Sequence, residues 1–586
     1  MSSTAGRTHE PTNGDPKLIF GGLGLVAVIV LGAWGALQLA GQQQVPGNPL
    51  AAVIEVGTGK LRWSTAATVW AVMFAVLVAG IASAVAMLVL RRQGRRTRVD
   101  DAVRHLGRGK DIYSITRKAV TQKAKDLGVV FPADHPWASP GVPIGGSLPS
   151  GPDLFGSFED MHADVWGPRS GKSTSRVIPA IVEAPGAVLA TENKRGNLDH
   201  TRGVREALGR KVWVFDPQAV AEEPASFYWN PLSYVVDEDT AQSLAEQFAA
   251  GDDGQAAKKD PYFDPEGQDL VANLCLASAL AREPITTVYE RLGDRARCHE
   301  AITILNDHRY PLIAQALAAR LGLHPKQADG IFGTAIKMVH CLRSRKIQDW
   351  ITTHPGDTRP QIDLEAFVRN GETLYCLSRE GVGSTGPIIA AMTVAACEAG
   401  EKIATRSPGG RLPTPMLCAL DEAANVVRWK RLPDLYSHYG SRGINIMTVL
   451  QNWSQGVRVW TKDGLQQLSG ASNVFVYGGG VKEIEFLEFL SKLVGDYERR
   501  ALNVSRSSGQ RGGSVSESTV WQRILTVADL QAWPRGRLLI LSAGNRPTIG
   551  RMVPWMEKPY ASEIRASLAK YSPTPDDGAP AGKVLR

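Results

Sequence analysis

Two long apolar stretches dominate the first ninety residues of the chain. Residues 18–40 and 65–90 contain no charged side chain, and each is long enough to cross a bilayer core of about 30 Å as a helix. A secretory signal peptide has a shorter apolar core and is not followed by a second span. The pattern therefore predicts a transmembrane hairpin over 18–90, preceded by a polar tail over 1–17.

The distribution of basic residues around these stretches sets their expected orientation. The loop between them contains only Lys60 and Arg62 as basic residues, whereas many follow the second stretch. The basic residues of this flank are Arg91, Arg92, Arg95, Arg96, Arg98, Arg104, Arg108 and Lys110. Such residues stay on the cytoplasmic side, so both termini are expected in the cytoplasm, at the cell membrane. The flank either contacts anionic lipid or acts only as a stop-transfer signal.

The rest of the chain alternates short apolar runs with helical patterns. Short apolar runs that end in polar residues are typical of buried parallel strands, and their alternation with helices indicates an α/β fold. The runs are 186–191, 211–215, 372–378, 415–420, 444–450, 473–477 and 537–541. This pattern predicts a sheet domain that carries the chemistry of the protein.

The sheet domain is predicted to be interrupted and flanked by segments of other kinds. From 237 to 353, apolar residues follow helical spacing, which predicts an all-helical insertion domain between 151–236 and 354–560. Residues 91–150 read as a polar connector, and the proline-rich stretch 131–157 reads as a loop. The Ser/Gly/Arg-rich tract 503–518 is predicted to be a flexible loop. Residues 561–586 are predicted to be a disordered tail.

Composition narrows the function only slightly. A length of 586 residues favours two or more domains. The net charge of +8 permits an anionic partner without requiring one. The six cysteines form no Cys-x-x-Cys pair, so neither a zinc site nor a disulfide framework is predicted. Most lie in apolar contexts, which favours buried thiols in a reducing compartment.

The most informative stretch is 164–174, which reads Asp-Val-Trp-Gly-Pro-Arg-Ser-Gly-Lys-Ser-Thr. An apolar run precedes it and a helical pattern over 174–183 follows, which is the order of a phosphate-binding P-loop. In such a loop Lys172 reaches the outer phosphates of ATP, and the Ser173 hydroxyl ligates Mg²⁺. The residues expected to bind the nucleotide are Gly167, Pro168, Arg169, Ser170, Gly171, Lys172, Ser173 and Thr174.

The spacing of this motif departs from the usual one. Four residues usually separate its two glycines, whereas Gly167 and Gly171 enclose three, and Trp166 stands in the place of the first glycine. Taken alone, the stretch is also compatible with an ordinary turn.

Two later strands supply the other half of the expected site. The run 416–420 is followed at once by Asp421 and Glu422, at the sheet edge where α/β ligands bind. Asp421 is expected to hold Mg²⁺ through its water shell, and Glu422 to polarise the attacking water. The run 444–450 leads into Gln451, whose amide is expected to sense the γ-phosphate. Together these residues predict an ATPase.

A set of short motifs, of which the P-loop is the first, occurs in order along the chain. They are Gly-Pro-Arg-Ser-Gly-Lys-Ser-Thr (167–174), Val-Ile-Pro (177–179), Thr-Glu-Asn-Lys (191–194), Val-Phe-Asp-Pro (214–217), Trp-Asn-Pro-Leu (229–232), Leu-Asp-Glu-Ala (420–423) and Ser-Arg-Gly-Ile-Asn-Ile…Leu-Gln-Asn (441–452). With the two apolar spans in front, the chain resembles the TraG/TraD-like coupling proteins of conjugative type IV secretion systems, which are membrane-anchored ATPases related to the septal DNA pumps. The resemblance extends from about residue 18 to residue 560.

This resemblance implies a RecA-like P-loop NTPase core, assembly as a homo-hexamer, and a role in bringing DNA with its bound relaxase to a secretion channel or in pumping that DNA. It also implies that the insertion 237–353 faces the cytoplasm and receives substrate. Arg442 becomes a candidate to act on the ATP of a neighbouring subunit, with Arg379 as its rival. Glu192 and Asn193 stand where the family has Asp and Pro.

Two other functions stay open at this point. A septal-type DNA translocase shares the core but typically carries more spans and a winged-helix domain, for which the roughly 25 residues after Tyr560 are too few. The second alternative is a membrane scaffold that uses bound nucleotide only to order its oligomer.

Overall fold

The computed structural model describes residues 16–41, 45–92, 97–148, 151–251, 260–379, 385–505 and 514–573, and the chain divides into two compact units, 1–97 and 98–586. The α-helices are α1 (Pro16–Leu39), α2 (Pro49–Gly57), α3 (Thr65–Arg92), α4 (Arg98–Ala102), α5 (Arg117–Asp126), α6 (Ile178–Glu183), α7 (Gly196–Ala207), α8 (Glu238–Gly251), α9 (Phe263–Leu280), α10 (Thr286–Gly293), α11 (Cys298–Asp307), α12 (Pro311–Leu321), α13 (Pro325–Met338), α14 (Arg345–Ile351), α15 (Leu364–Arg369), α16 (Gly386–Thr405), α17 (Ala423–Val426), α18 (Leu432–Ser441), α19 (Trp453–Ala471), α20 (Ile484–Val494), α21 (Val527–Gln531) and α22 (Ala561–Tyr571). The strands are β1 (Val142–Ser147), β2 (Asp153–Gly156), β3 (His162–Val165), β4 (Val188–Glu192), β5 (Val212–Phe215), β6 (Thr373–Leu377), β7 (Met416–Leu420), β8 (Ile444–Leu450), β9 (Val474–Tyr477), β10 (Asp496–Ser505), β11 (Ser514–Arg523), β12 (Arg537–Ser542) and β13 (Thr548–Arg551).

The first unit consists of α1, α2 and α3. A small apolar cluster of Leu37, Ala52 and Ala67 joins the three helices. Within α3, Thr65–Ala84 is the one helical stretch among the described residues that is long and apolar enough to cross a membrane. Side chains before residue 28 lie outside the described residues, as do residues 1–15 of the predicted tail. The two-span hairpin over 18–40 and 65–90 therefore stays a prediction.

The second unit is built on a sheet of eleven strands in the order β2-β1-β13-β12-β9-β3-β8-β7-β4-β6-β5. The strands from β9 to β5 in this order pair in parallel. The other four pair antiparallel and extend the sheet beyond β9. The α/β fold predicted from the apolar runs is thus confirmed, and a strand overlaps every predicted run.

The parallel strands form the centre of the core. Each residue of β3, β4, β6, β7 and β8 is buried, because helices cover both faces of this part of the sheet. Two large apolar clusters lie on the two faces. This arrangement brings the carboxyl ends of β3, β8 and β7 to one edge of the sheet.

The chain between β5 and β6 forms helices and no strand within its described part, 216–251 and 260–372. Helices α8 to α15 occupy it, and α9 carries the largest buried apolar face of the group, with Leu270, Leu274 and Leu276 among its buried residues. The helical character predicted for 237–353 agrees with these elements. The domain boundaries themselves remain predictions.

Two segments that were predicted to be loops contain strands. The predicted loop 131–157 holds β1 and β2. The prolines of this segment favoured the prediction of a loop. Pro143, however, lies where the register between β1 and β2 is irregular, and such a position tolerates a residue without a backbone N–H. Within the predicted loop 503–518, residues 503–505 belong to β10 and residues 514–518 to β11, and these strands pair from Asp496–Arg523 to Ser505–Ser514. Residues 506–513 lie outside the described part. A two-stranded ribbon needs no apolar run, because backbone hydrogen bonds hold it together.

The prediction of a disordered tail over 561–586 is wrong for its first eleven residues, which form α22. This helix packs on α7, where the Ser567 hydroxyl donates a hydrogen bond to the Asp199 carbonyl at 2.6 Å. Ile564 is fully buried in a cluster with Ile178 and Val204. The contacts with α7 stabilise a helix whose own sequence is only weakly apolar. Residues 574–586 lie outside the described part.

Candidate functional site

The P-loop stretch begins where β3 ends. The backbone N–H of Trp166 donates to the Leu450 carbonyl at 3.0 Å, so the start of the loop is attached to β8. Gly171 has a φ of +95°, a conformation that favours glycine. The Ser175 N–H donates to the Gly171 carbonyl at 3.1 Å and starts the helical turns. These turns, Ser173–Val177, are π-helical and lead into α6, so the predicted helix over 174–183 is present.

Lys172 points from the loop to the end of β7. Its Nζ lies 2.6 Å from Asp421 Oδ1 and 2.7 Å from Glu422 Oε1. Burial by itself lowers the pKa of Lys172, but the charges of Asp421 and Glu422 outweigh it and raise that pKa above its ordinary value. Two stretches that lie 250 residues apart in sequence thus meet through one ammonium group and two carboxylates.

Hydrogen bonds from β4 and α7 hold Asp421 in place. The Thr191 hydroxyl, in β4, donates to the Asp421 backbone carbonyl at 3.0 Å, and the Asn197 side-chain amide donates to Asp421 Oδ2 at 3.3 Å. Glu422 has a φ of +54° and stands directly before α17. This left-handed conformation is uncommon for a residue other than glycine.

Glu192 is a third carboxylate at the site, and the sequence pattern alone gave it no role there. It is buried, and its two oxygens accept from the Asn197 backbone N–H at 3.0 and 2.8 Å. Burial, and then the nearby charge of Asp421, raises the pKa of Glu192 well above its ordinary value. Its position directly after the apolar run 186–191 is the sequence signal that could have placed it here, because that run forms β4, the strand next to β7.

Gln451 follows β8, the strand between β3 and β7 in the sheet. Leu450, its neighbour in sequence, pairs with Val165 at the start of the P-loop. The structure therefore places Gln451 on the same sheet edge as Lys172 and Glu422, which is the edge predicted for it.

The two candidate arginines lie at opposite edges of the sheet. Arg442 precedes the amino end of β8, so the length of this strand, about 20 Å, separates it from the P-loop edge. Its guanidinium donates to the Gly410 carbonyl at 3.0 Å. Arg379 follows the carboxyl end of β6, is exposed, and donates to the Ala219 carbonyl at 2.8 Å. Within one chain, Arg379 is thus on the edge that carries the site, and Arg442 is not.

A fully buried ion pair, which no sequence motif indicates, joins the two ends of the P-loop. Arg176 Nε lies 2.9 Å from Asp164 Oδ1, and Nη2 lies 3.1 Å from Asp164 Oδ2. His162 Nδ1 accepts from the same guanidinium at 2.7 Å. Burial, and then the charge of Arg176, lowers the pKa of His162 well below its ordinary value, so this imidazole is neutral.

Comparison with curated protein sequences gives no match. Among solved structures, the unbound monoclinic form of the bacterial conjugative coupling protein TrwBdeltaN70 is 15% identical, with 68% of this chain and 85% of that chain covered and a TM-score of 0.49. The plasmid coupling protein TrwB in complex with ADP and Mg²⁺ is 16% identical, with 68% and 86% covered and a TM-score of 0.49. VirB4 of Thermoanaerobacter pseudethanolicus is 12% identical, with 71% and 98% covered and a TM-score of 0.42.

Two family models match the chain directly. The model described as "Type IV secretory system Conjugative DNA transfer" matches residues 116–304, a range that contains the P-loop. The model described as "TraM recognition site of TraD and TraG" matches residues 415–535, a range that contains Asp421, Glu422 and Gln451. Together the matched ranges cover more than half of the chain. With the site geometry and the ordered motifs, they show that the chain belongs to the TraG/TraD-like coupling proteins of conjugative type IV secretion systems.

Proposed function

We propose that this coupling protein hydrolyses ATP, recruits DNA with its bound relaxase to the secretion channel, and helps drive that DNA across the cytoplasmic membrane. The observation that carries the proposal is the meeting of Lys172 with Asp421 and Glu422, at 2.6 and 2.7 Å, at one sheet edge. Phosphoryl transfer needs a loop and a lysine for phosphates, a carboxylate for the metal, and a group that orients water. All three kinds of group lie at this edge.

The residues at the edge fit a Mg²⁺ nucleotide by their donor chemistry. The Ser173 hydroxyl and the Asp421 carboxylate are hard oxygen donors, which Mg²⁺ prefers. Asn197 holds Asp421 Oδ2 at 3.3 Å, so the carboxylate is oriented before ligand arrives. When bound, Mg²⁺ would neutralise charge on the phosphates. Ser173 and Asp421 are the residues that would hold it.

The proposed roles of the other residues follow from their positions. Lys172 binds the outer phosphates, and its two carboxylate partners keep its ammonium charged and directed along the edge until nucleotide enters. Glu422, which the left-handed backbone holds at the end of β7, polarises the attacking water. Gln451 senses the γ-phosphate from the end of β8, the strand next to the P-loop strand.

The domain organisation, the assembly and the membrane anchor are proposed from membership of the coupling-protein family. The core, 151–236 and 354–560, is a RecA-like domain, which is supported by the position of β8 between β3 and β7. Six copies form a ring, and the helical insertion 237–353 receives substrate on the cytoplasmic side. For the arginine that acts on a neighbour's ATP, Arg442 is the candidate and Arg379 its rival. The spans 18–40 and 65–90 anchor the chain, with both termini in the cytoplasm.

ATPase activity of the detergent-solubilised full chain, with and without DNA, tests the proposal. We expect hydrolysis that DNA stimulates, that Lys172→Ala and Glu422→Gln abolish, and that Lys492→Ala, at an exposed position of α20, leaves unchanged. DNA binding should be sequence-independent and weaken steeply with salt. ATP binding without turnover under any condition would instead indicate a scaffold that uses nucleotide only to order its oligomer.

A further inference from the structure

Trp166 occupies the first-glycine position of the motif, and its large side chain is fully buried. The ring packs in the apolar cluster on one sheet face, together with Ile181 and Val476. Its Nε1–H donates to Asp164 Oδ1 at 3.1 Å. The indole therefore has a fixed position beneath the start of the phosphate loop.

The space for this ring is provided by Gly478, directly after β9. A Cβ atom on Gly478 would lie 2.0 Å from Cε3 of the Trp166 ring and 2.3 Å from its Cδ2. Atoms do not approach this closely, so a side chain at 478 and the observed position of Trp166 exclude each other. Gly478 has no left-handed φ, and the restriction at this position is therefore steric alone.

The glycines that follow continue the contact along the loop. The Gly478 N–H donates to the Val165 carbonyl at 3.1 Å, and the Gly167 N–H donates to the Gly479 carbonyl at 2.8 Å. A Cβ atom on Gly167 would lie 2.1 Å from the Gly480 carbonyl oxygen. The parallel ladder between β3 and β9 thus extends into the loop, and small residues on both sides permit it.

The orientation of the indole is set by the buried ion pair at the ends of the loop. Asp164 accepts both from Trp166 and, through two bonds, from Arg176. Asp164 precedes the loop and Arg176 follows it. Displacement of the ring would therefore disturb the group that ties the two ends of the loop together.

We propose that Trp166 and Gly478 form a positioning pair for the phosphate loop, and that this pair replaces the first glycine of the usual motif. In this chain the small residue lies instead at the end of the neighbouring strand β9, where the absence of a side chain on Gly478 leaves space for the tryptophan ring. Neither residue touches the reacting atoms, and both act by placing the backbone of 167–171. The inference rests on the proposed nucleotide binding at this loop.

A double-mutant cycle on the full chain in detergent tests the pair. Affinity for ATP with Mg²⁺ is measured by titration calorimetry for wild type, Gly478→Ala, Trp166→Ala and the double variant. We expect Gly478→Ala to weaken binding at least ~10-fold in the wild-type background and less than ~2-fold in the Trp166→Ala background, because the clash requires the ring. Trp166→Ala alone should weaken binding but not abolish it, since Gly171, Lys172 and Ser173 remain.

Controls separate positioning from general damage. Gly470→Ala is the matched control, because a Cβ atom there would meet no atom within 4 Å, and it should not change affinity. Melting temperatures and circular dichroism report folding of each variant. If Gly478→Ala alone does not fold, the inference is tested with the folded double variant. An ATP affinity close to that of Trp166→Ala supports the positioning pair, and loss of ATP binding overturns it.

Two results would overturn the inference while leaving the proposed function intact: equal losses from Gly478→Ala in both backgrounds, or no loss in either. Wild type that binds no ATP, or binds it no better than Lys172→Ala does, would instead show that the proposed nucleotide function fails.

Discussion

Removal of the Lys172 ammonium is expected to destabilise the nucleotide-free protein. Its Nζ lies 2.6 and 2.7 Å from Asp421 and Glu422, and the side-chain exposures are 14%, 4% and 6%. An exposed ion pair contributes only about 0–1 kcal/mol, whereas loss of one partner from a buried pair costs about 3–5 kcal/mol, because the remaining charge stays buried. Lys172 keeps slight exposure, so we expect Lys172→Ala to lower the free energy of unfolding by about 3 kcal/mol.

Urea unfolding of the detergent-solubilised chain, followed by tryptophan fluorescence without nucleotide, measures this loss. Lys492→Ala is the matched control, because Lys492 is exposed on α20, and its effect should stay below about 0.5 kcal/mol. Addition of Glu422→Gln to Lys172→Ala should recover part of the stability, since one uncompensated charge is then removed. A Lys172→Ala variant as stable as the control would refute the stabilising role assigned to these contacts.

Three further outcomes are expected elsewhere in the second unit. Because the pKa of Glu192 is raised in the folded state, its contribution to stability is complete below the ordinary value of 4.5 and is lost as pH rises through the folded value. Glu192→Gln should therefore raise the melting temperature more at pH 8 than at pH 5. The control Glu488→Gln, at an exposed position, should show no such trend. Burial raises the pKa of Cys275 to about 12 and that of Cys298 to about 11. A thiol reagent at pH 8 should therefore modify these two thiols slowly in the native protein and all six cysteines after denaturation; fast native labelling of Cys275 or Cys298 would contradict this burial. Arg205 is buried, and its guanidinium donates to Thr373 and to three backbone carbonyls. Arg205→Lys should lower the free energy of unfolding in urea by about 3 kcal/mol, because one ammonium cannot reach all these acceptors. A loss below about 1 kcal/mol would show that other donors satisfy them.

Local pattern was sufficient for the elements that bury apolar residues. The run 416–420 and the acidic pair after it predicted β7 and the position of Asp421 and Glu422, because a buried parallel strand must be apolar along its whole length. The same logic failed for β10 and β11, whose pairing depends on backbone hydrogen bonds and not on an apolar run. It also failed for α22, which is stabilised by its contact with α7.

Position within the sheet also locates residues whose place in the fold local pattern does not give. Arg379 and Arg442 each follow or precede a predicted strand, and only the strand direction places one at the P-loop edge and the other at the opposite edge. Glu192 gained its place at the site in the same way, from the pairing of β4 with β7. Strand order is a property of the whole chain, and no local window of residues contains it.

The sequence by itself determined which groups the candidate site contains: a Gly-Lys-Ser loop, an acidic strand end, a glutamine after a third strand, and the order in which they occur. Those features are local, because backbone geometry and side-chain type within a few residues decide them. Only the tertiary structure decided that Lys172 meets Asp421 and Glu422, and that Gly478 makes room for Trp166. Such contacts join residues hundreds of positions apart, and they exist only once the sheet has brought the strand ends to one edge.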